Sequence, residues 1–240
     1  IMWPTLVSIG PVSIHSFGVM LFLGLFFGGF KLWQKAKEEG WDETAVMDGW
    51  LLAGIGALLA GRAGYIFLHL ADFGGSWYKM IFFTKFPGLS GEAAWLGGVL
   101  VLLLWGLNRK FNWWRWLEAV VLAVLIVEIF AHLAGFLGNS NWPVQLGWTS
   151  GLILTYCLLL FGEKRYRAFN LKEGVLAVGY LLLSGGLTGG LGWWEGQSYR
   201  WWGVGLAVAG GLIFCFRSGI TIKAPLAKQP TRKKRGFDYV

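Results

Sequence analysis

The chain of 240 residues is 55% hydrophobic and only 14% charged, although its formal net charge is +8. A soluble domain of this length has about 25% charged residues on a surface that faces water, so this composition excludes an ordinary soluble domain. The basic residues lie in short clusters between long apolar runs, which favours topology signals and lipid-headgroup contacts over a nucleic-acid partner.

Seven apolar runs follow one another along the chain, and a helix needs about 20 such residues to cross a bilayer. The predicted spans are Pro11–Trp33, Ala45–Leu70, Leu89–Leu107, Leu117–Leu137, Val144–Phe161, Val175–Trp193 and the shorter Trp201–Phe216. We therefore predict an all-α membrane protein with one transmembrane domain at residues 1–216. Residues 217–240 are polar, basic and contain proline, and we expect a disordered tail there.

The lysines and arginines give the predicted spans a direction. Loops on alternate sides of the membrane hold 17 and 3 of these residues, and Arg62 is the one that remains. Basic residues stay on the cytoplasmic side, so the N-terminus is expected outside and the C-terminus in the cytoplasm. A span count that was wrong by one would break this alternation, which supports seven.

Arg62 lies in the middle of the second predicted span, where an ionisable residue costs a few kcal/mol and suggests a functional site. One interpretation is an ion pair with Glu128 that joins two helices. The other is an anchor for a lipid phosphate, with Gly61 and Gly64 leaving room around it. We favour the second, because the flanking glycines suit a bulky ligand.

Glu128 and His132 lie four residues apart in the fourth predicted span and therefore on one helix face. They are either a general-base pair or a mutually satisfied polar contact, and the sequence leaves both open. Cys157 and Cys215 fall inside predicted spans without metal-binding spacing, so we expect packing roles. No metal site and no cofactor are predicted.

Six sequence blocks, in order, are similar to one known family. They are SIGPVSIHSFGVMLFLGLFFG, GRAGYIF, AAWLGGVL, AHLAGFLGNSN, WPVQL and EGVLAVGYLLL, and together they span roughly residues 7–216. On these blocks the chain resembles prolipoprotein diacylglyceryl transferases, a family with seven spans and an outside N-terminus.

The resemblance implies an enzyme of the bacterial inner membrane that moves the diacylglyceryl group of phosphatidylglycerol onto the thiol of a lipobox cysteine. The implied partners are phosphatidylglycerol, or another anionic phospholipid, and the signal peptide of a prolipoprotein. Several residues stand where the family pattern has them and are the expected lipid-binding set: Arg62, Tyr180, Gln145, Gly97, Gly98 and His15.

Other positions depart from the family pattern. Leu96 replaces a histidine, Phe17 a tyrosine, His132 an essential arginine, Gly135 an asparagine and Ser184 an arginine. One hypothesis is a divergent transferase in which His132, assisted by Glu128, is the base or a replacement cation. The other is a catalytically inactive relative that binds phospholipid or lipopeptide or acts as a membrane assembly partner. A solute transporter is a weaker hypothesis, because no inverted repeat is visible.

Overall fold

The computed structural model describes residues 5–9, 12–70, 88–138, 142–169 and 173–195, together with helical residues 203–205, 207, 208, 210, 211 and 213. Six helices are bounded within these ranges: α1 Ser16–Glu39, α2 Glu43–Leu68, α3 Gly91–Asn108, α4 Trp113–Gly138, α5 Trp142–Phe169 and α6 Val175–Glu195. Each overlaps one of the first six predicted spans. The seventh predicted span is described only in part, and the predicted tail at 217–240 lies outside the described residues.

A short antiparallel hairpin precedes the helices. Its strands are β1 Thr5–Ile9 and β2 Val12–His15, and α1 begins directly afterwards at Ser16. The prediction of a first span starting at Pro11 is therefore wrong at that end. The bounded elements that follow the hairpin are all helices, as an all-α membrane protein requires. Residues 12–15 alternate β-branched and polar types, which is the two-residue period of a strand and not that of a helix.

The helical part has the length and surface of a membrane protein. Within the described residues, α1 to α4 and residues Pro143–Lys164 of α5 are long and apolar enough to cross a bilayer, and α6 contains a shorter apolar stretch, Val175–Leu191. Large apolar side chains point outward, including Phe22 (65% exposed), Leu59 (67%) and Phe67 (75%). Such a surface is stable in lipid, so the chain is a multi-pass membrane protein.

Helix α4 occupies the middle of the packing arrangement. It contacts α1 on one side and α5 on another, while α2 packs along α3 and α5 along α6. One buried cluster, centred on Leu32, Val46 and Trp116, joins the first four helices, and a second, centred on Leu125 and Leu152, joins α4 to α5 and α6. The polar residues of α4 consequently meet side chains from several helices.

Two helices extend more than one turn beyond the C-terminal ends of their predicted spans. Helix α1 continues past Trp33 to Glu39 and stops before Gly40, whose φ of 69° is the left-handed conformation that favours glycine at a helix C-terminus. Helix α5 likewise continues past Phe161 to Phe169. Lys35, which lies beyond the predicted span Pro11–Trp33, is therefore a helical residue and is 5% exposed. Its burial is possible because it pairs with Glu38 and Glu163.

Candidate functional site

The Glu128 carboxylate, in the C-terminal half of α4, joins three helices. Its Oε1 accepts a hydrogen bond from Trp95 Nε1 on α3 at 2.6 Å and another from the Tyr180 hydroxyl on α6 at 2.8 Å. Tyr180 is buried, with 7% of its surface exposed. Two donors on one oxygen stabilise a carboxyl group that would otherwise be costly among apolar helices.

His132 lies one turn further along α4 and contacts α5. Its Nδ1 lies 3.1 Å from Oε1 of Gln145, and its ring stacks on Trp148 with 5.2 Å between centroids. With the amide oxygen of Gln145 facing the ring, Nδ1 of His132 is the donor in this contact, because an amide oxygen only accepts hydrogen bonds. A side chain at position 135 would come within 3.0 Å of the same amide oxygen, so Gly135 leaves the space that Gln145 occupies.

The predicted pair Glu128 and His132 thus shares a helix face, as expected, but the hydrogen bonds described for the two residues lead to different helices. Glu128 is linked to Tyr180 and His132 to Gln145. Four of the predicted residues are brought together in this way as two pairs, one turn apart. The His132 imidazole is oriented by Gln145, and the hydrogen-bonded Tyr180–Glu128 pair lies one helical turn away. Groups of these types can accept and transfer a proton.

Trp95 was not among the site residues predicted from the sequence. Its indole N–H donates to Glu128 from α3. The available signal was that a tryptophan near an intramembrane carboxylate needs an acceptor for its N–H. Without a fold, the sequence could not tell which acceptor it meets.

Arg62 is largely buried, with 9% of its surface exposed. Its Nη1 donates to the carbonyl oxygen of Gly88 at 3.1 Å, and the guanidinium lies 6.0 Å from the centroid of the Tyr65 ring. These contacts give no support to the ion pair with Glu128. They place the cation beside the segment that enters α3.

The glycines around Arg62 have a packing explanation. A Cβ on Gly61 would lie 2.9 Å from Ala94 Cβ, and one on Gly64 would overlap Ala93. In this structure α3 therefore fills the space that we expected a lipid to use. Lipid binding by Arg62 stays a prediction that rests on its charge and position, and no longer on its glycine neighbours.

The Gly97–Gly98 pair lies at a helix contact, whereas His15 lies at the surface. A side chain on Gly97 would overlap Ala60 Cβ, and one on Gly98 would lie 3.2 Å from Ala57 Cβ, so both glycines allow α2 and α3 to approach closely. His15 is exposed at the end of β2, directly before α1. A lipid-binding role for these three residues stays a prediction.

Three of the positions that depart from the family pattern have side chains that are apolar or that hydrogen-bond within their own helix. Leu96 and Phe17 are 58% and 55% exposed, on the surface of α3 and α1. The Ser184 hydroxyl donates to the carbonyl oxygen of Tyr180 on its own helix at 2.6 Å. These three positions provide neither a base nor a cation. Within the described ranges, no cluster of three His, Cys, Asp or Glu residues could hold a metal ion.

The part of the chain from the hairpin to the first half of α5 matches one known family model. That model, described as prolipoprotein diacylglyceryl transferase, matches residues 4–151, which is more than half of the chain. The chain belongs to this family. Tyr180 and Ser184 lie beyond the matched residues, which include His15, Arg62, Gly97, Gly98, Glu128, His132 and Gln145.

Relatives with the name phosphatidylglycerol–prolipoprotein diacylglyceryl transferase are similar to the chain at low identity. The protein of Acinetobacter baumannii is 24% identical over 138 residues, which cover 57% of this chain and 51% of the relative. That of Mesorhizobium japonicum is 27% identical over 160 residues, covering 60% and 54%. That of Burkholderia cenocepacia is 25% identical over 144 residues, covering 58% and 49%. The chain spans about half the length of these family members.

Proposed function

We propose that this chain is a divergent phosphatidylglycerol–prolipoprotein diacylglyceryl transferase. Family membership supports the reaction class, and the observation that carries the proposal is the partly buried polar cluster on one face of α4, where Gln145 holds His132 and Tyr180 holds Glu128. The proposed substrates are phosphatidylglycerol and the signal peptide of a prolipoprotein, and the proposed location is the bacterial inner membrane.

In the proposed reaction, the lipobox thiol loses its proton and its sulfur bonds to the terminal glyceryl carbon of the lipid. The carbon–oxygen bond to the phosphate breaks, and glycerol phosphate leaves with the electron pair. An unperturbed thiol has a pKa of about 8.5, so a base accelerates the attack. In the proposed reaction, Nδ1 of His132 donates to Gln145, and Nε2 is the atom that accepts the thiol proton.

Arg62 is the proposed partner of the leaving phosphate. A guanidinium binds a phosphate through paired hydrogen bonds, and it stabilises the negative charge that develops as glycerol phosphate departs. Tyr180 and Gln145 are proposed to orient the groups around the reacting carbon, with Glu128 holding the Tyr180 hydroxyl. The glycine pair at 97 and 98 and His15 complete the proposed lipid-binding set.

The proposed topology has seven transmembrane helices within residues 1–216, an outside N-terminus and a cytoplasmic tail at 217–240. It is supported by the split of basic residues, 17 against 3, between the two sides. In this orientation the polar cluster of α4 lies toward the outside. This is the side from which a secreted preprotein presents its cysteine.

A second candidate function is a catalytically inactive relative that binds phospholipid or lipopeptide, or that serves as a membrane assembly partner. Three positions favour this alternative, because the family pattern has reactive or charged groups at each of them. Here Leu96 and Phe17 are apolar and exposed, and the Ser184 hydroxyl donates to a carbonyl of its own helix. Under this alternative, Arg62 holds a lipid phosphate that is never cleaved.

The two candidates are separated by incubating the purified protein with labelled phosphatidylglycerol and a lipobox peptide. A transferase attaches the label to the peptide, whereas a peptide with serine in place of cysteine stays unlabelled. If no product exceeds background while the folded protein retains phosphatidylglycerol, the transferase proposal is wrong. Loss of that lipid in Arg62→Ala but not in the exposed control Arg109→Ala then supports the inactive relative. Equal retention in both variants contradicts Arg62 as the anchor.

A further inference from the structure

A cleft between α1 and α5 lies far from the polar cluster of α4. Its volume is about 610 Å³, and it is lined by Lys31, Glu38, Cys157, Leu160, Phe161, Glu163 and Lys164. On α5, sixteen residues separate Phe161 from Gln145, which corresponds to roughly 24 Å along the helix at 1.5 Å per residue. The cleft is therefore at the opposite end of α5 from the proposed catalytic residues.

The cleft exists because α1 and α5 both pack on α4, while an ion pair crosses between the two helices. Lys35 on α1 contacts Glu163 on α5, and it also contacts Glu38 at 2.9 Å. Lys35 and Glu163 are 5% and 9% exposed. This buried ion pair sets the distance between the two helices. The other lining residues form the walls of the cleft beside it.

On α5, the lining changes from apolar to charged along the helix axis. Cys157, Leu160 and Phe161 precede Lys164, which is the last residue of the candidate span Pro143–Lys164. Lys31 and Glu38 are seven residues apart and so lie on one face of α1. This order matches the order of acyl chain and headgroup in a phospholipid at the same depth of a bilayer.

Among the described side chains, the charges of the cleft lining, taken together with Lys35, which pairs with both lining glutamates, sum to one positive charge. Lys31, Lys35 and Lys164 carry three positive charges, and Glu38 and Glu163 carry two negative ones. One phosphodiester neutralises this excess, whereas a phosphatidylcholine headgroup, with its own ammonium group, leaves it in place. Outward-facing side chains, such as Phe161 at 60% exposure, show that the cleft opens toward lipid and not toward a sealed core.

We propose that the cleft between α1 and α5 binds one anionic glycerophospholipid, with its phosphodiester between Lys31 and Lys164 and an acyl chain against Cys157, Leu160 and Phe161. This lipid is not the one that reacts, because the cleft is at the basic end of the helices. The proposal does not require diacylglyceryl transfer, and its outcome is independent of the activity of the protein.

The test is photo-crosslinking of the full chain in phosphatidylcholine vesicles. Phosphatidylglycerol and phosphatidylcholine carrying the same diazirine-modified acyl chain are added at equal mole fraction, and adducts are mapped by peptide mass spectrometry. We expect adducts at residues 157–161 to be at least threefold more frequent with phosphatidylglycerol. Unmodified phosphatidylglycerol should displace the probe, and soluble glycerol phosphate should not. Equal labelling by the two lipids overturns the proposal, as does displacement by glycerol phosphate.

Variants assign the selectivity to the two lysines. We expect the preference to vanish in Lys31→Gln/Lys164→Gln and to persist in Lys31→Arg/Lys164→Arg. The control Lys37→Gln/Lys110→Gln removes the same charge from exposed positions outside the cleft lining and should keep the preference. Equal loss in the control overturns the proposal in favour of general surface charge. If the glutamine pair does not fold, the lipid comparison in the unmodified chain and the arginine pair decide.

Discussion

Glu128 illustrates how a single polar side chain can order apolar helices. Its carboxylate accepts hydrogen bonds from Trp95 on α3 and Tyr180 on α6, at 2.6 and 2.8 Å. A buried donor that loses its acceptor costs about 1–3 kcal/mol. The free energy of unfolding should therefore depend on the hydrogen-bond acceptor atoms of residue 128 more than on its charge.

We accordingly expect Glu128→Ala to lower the free energy of unfolding by roughly 2–4 kcal/mol, because it leaves two donors without their acceptor. Glu128→Gln retains an oxygen that can accept both bonds, and it should cost less than about 1 kcal/mol. Reversible unfolding in mixed micelles, followed by circular dichroism, measures both values.

Glu92→Ala is the matched control, since Glu92 is an exposed acid in the first turn of α3. Its effect should be within about 0.5 kcal/mol, as for most exposed substitutions. If alanine and glutamine at position 128 destabilise the protein equally, the hydrogen-bond account of this residue is wrong.

At the scale of single helices, α2 and α3 approach each other closely at Gly97. Gly97 faces Ala60 so closely that a side chain there would overlap it. By contrast, a Cβ on Gly54 of α2 would meet no heavy atom within 4 Å. An alanine substitution at Gly97 therefore tests helix packing, whereas one at Gly54 tests helix propensity alone.

Gly97→Ala should reduce the free energy of unfolding by about 1–3 kcal/mol, because the added methyl group separates the two helices. Gly54→Ala should change it by no more than about 1 kcal/mol, and in the stabilising direction, since alanine favours a helix. The same unfolding measurement tests both. Two equal effects would show that α2 and α3 are not in contact at Gly97.

The ion pair between α1 and α5 gives a further prediction for helix packing. Lys35→Gln leaves the buried Glu163 without its cation and should cost about 3–5 kcal/mol, whereas Lys35→Gln/Glu163→Gln should recover most of the loss. Lys37→Gln, at an exposed position 3.8 Å from Glu43, should change stability by less than about 1 kcal/mol. Chemical unfolding of the four proteins provides the comparison, and a double variant as unstable as the single one would refute a direct pair.

Hydrophobic runs were sufficient to predict where the six helices lie, because any 20-residue apolar segment must form a helix in lipid. They did not predict where helices end outside the apolar core. The extension of α1 to Glu39 depends on Lys35 finding Glu163 on α5, which is a contact between distant parts of the chain. The strand before α1 was missed because its apolar residues were read as the continuation of a span.

The candidate site was predictable in its residue types but not in its pairing. Intramembrane Glu128 and His132 stood out because polar groups are rare and costly there. Their four-residue spacing suggested a mutual contact, yet Tyr180 and Gln145 on other helices provide their hydrogen bonds. Spacing along one helix specifies a shared face, and only the packing of neighbouring helices decides the partner.

At the scale of the whole molecule, the proposed topology predicts which connections are accessible from each side. In a background with Cys157→Ser and Cys215→Ser, Leu89→Cys between α2 and α3 should react with a membrane-impermeant maleimide in intact cells. Arg109→Cys between α3 and α4 should react only after lysis, because the basic connections are cytoplasmic. The reverse pattern would invert the proposed orientation, and reaction of both positions would contradict the predicted alternation.

The most direct test of the proposed function is the rate of thioether formation between phosphatidylglycerol and a lipobox peptide in proteoliposomes. We expect the unmodified chain to be active and His132→Ala to be slower by about 10²–10⁴-fold, the usual contribution of a general base. The control His69→Ala, at the end of α2, should stay within about threefold of the unmodified rate, because no role in proton transfer is assigned to it. An inactive chain, or an active one that His132→Ala does not slow, would contradict the account.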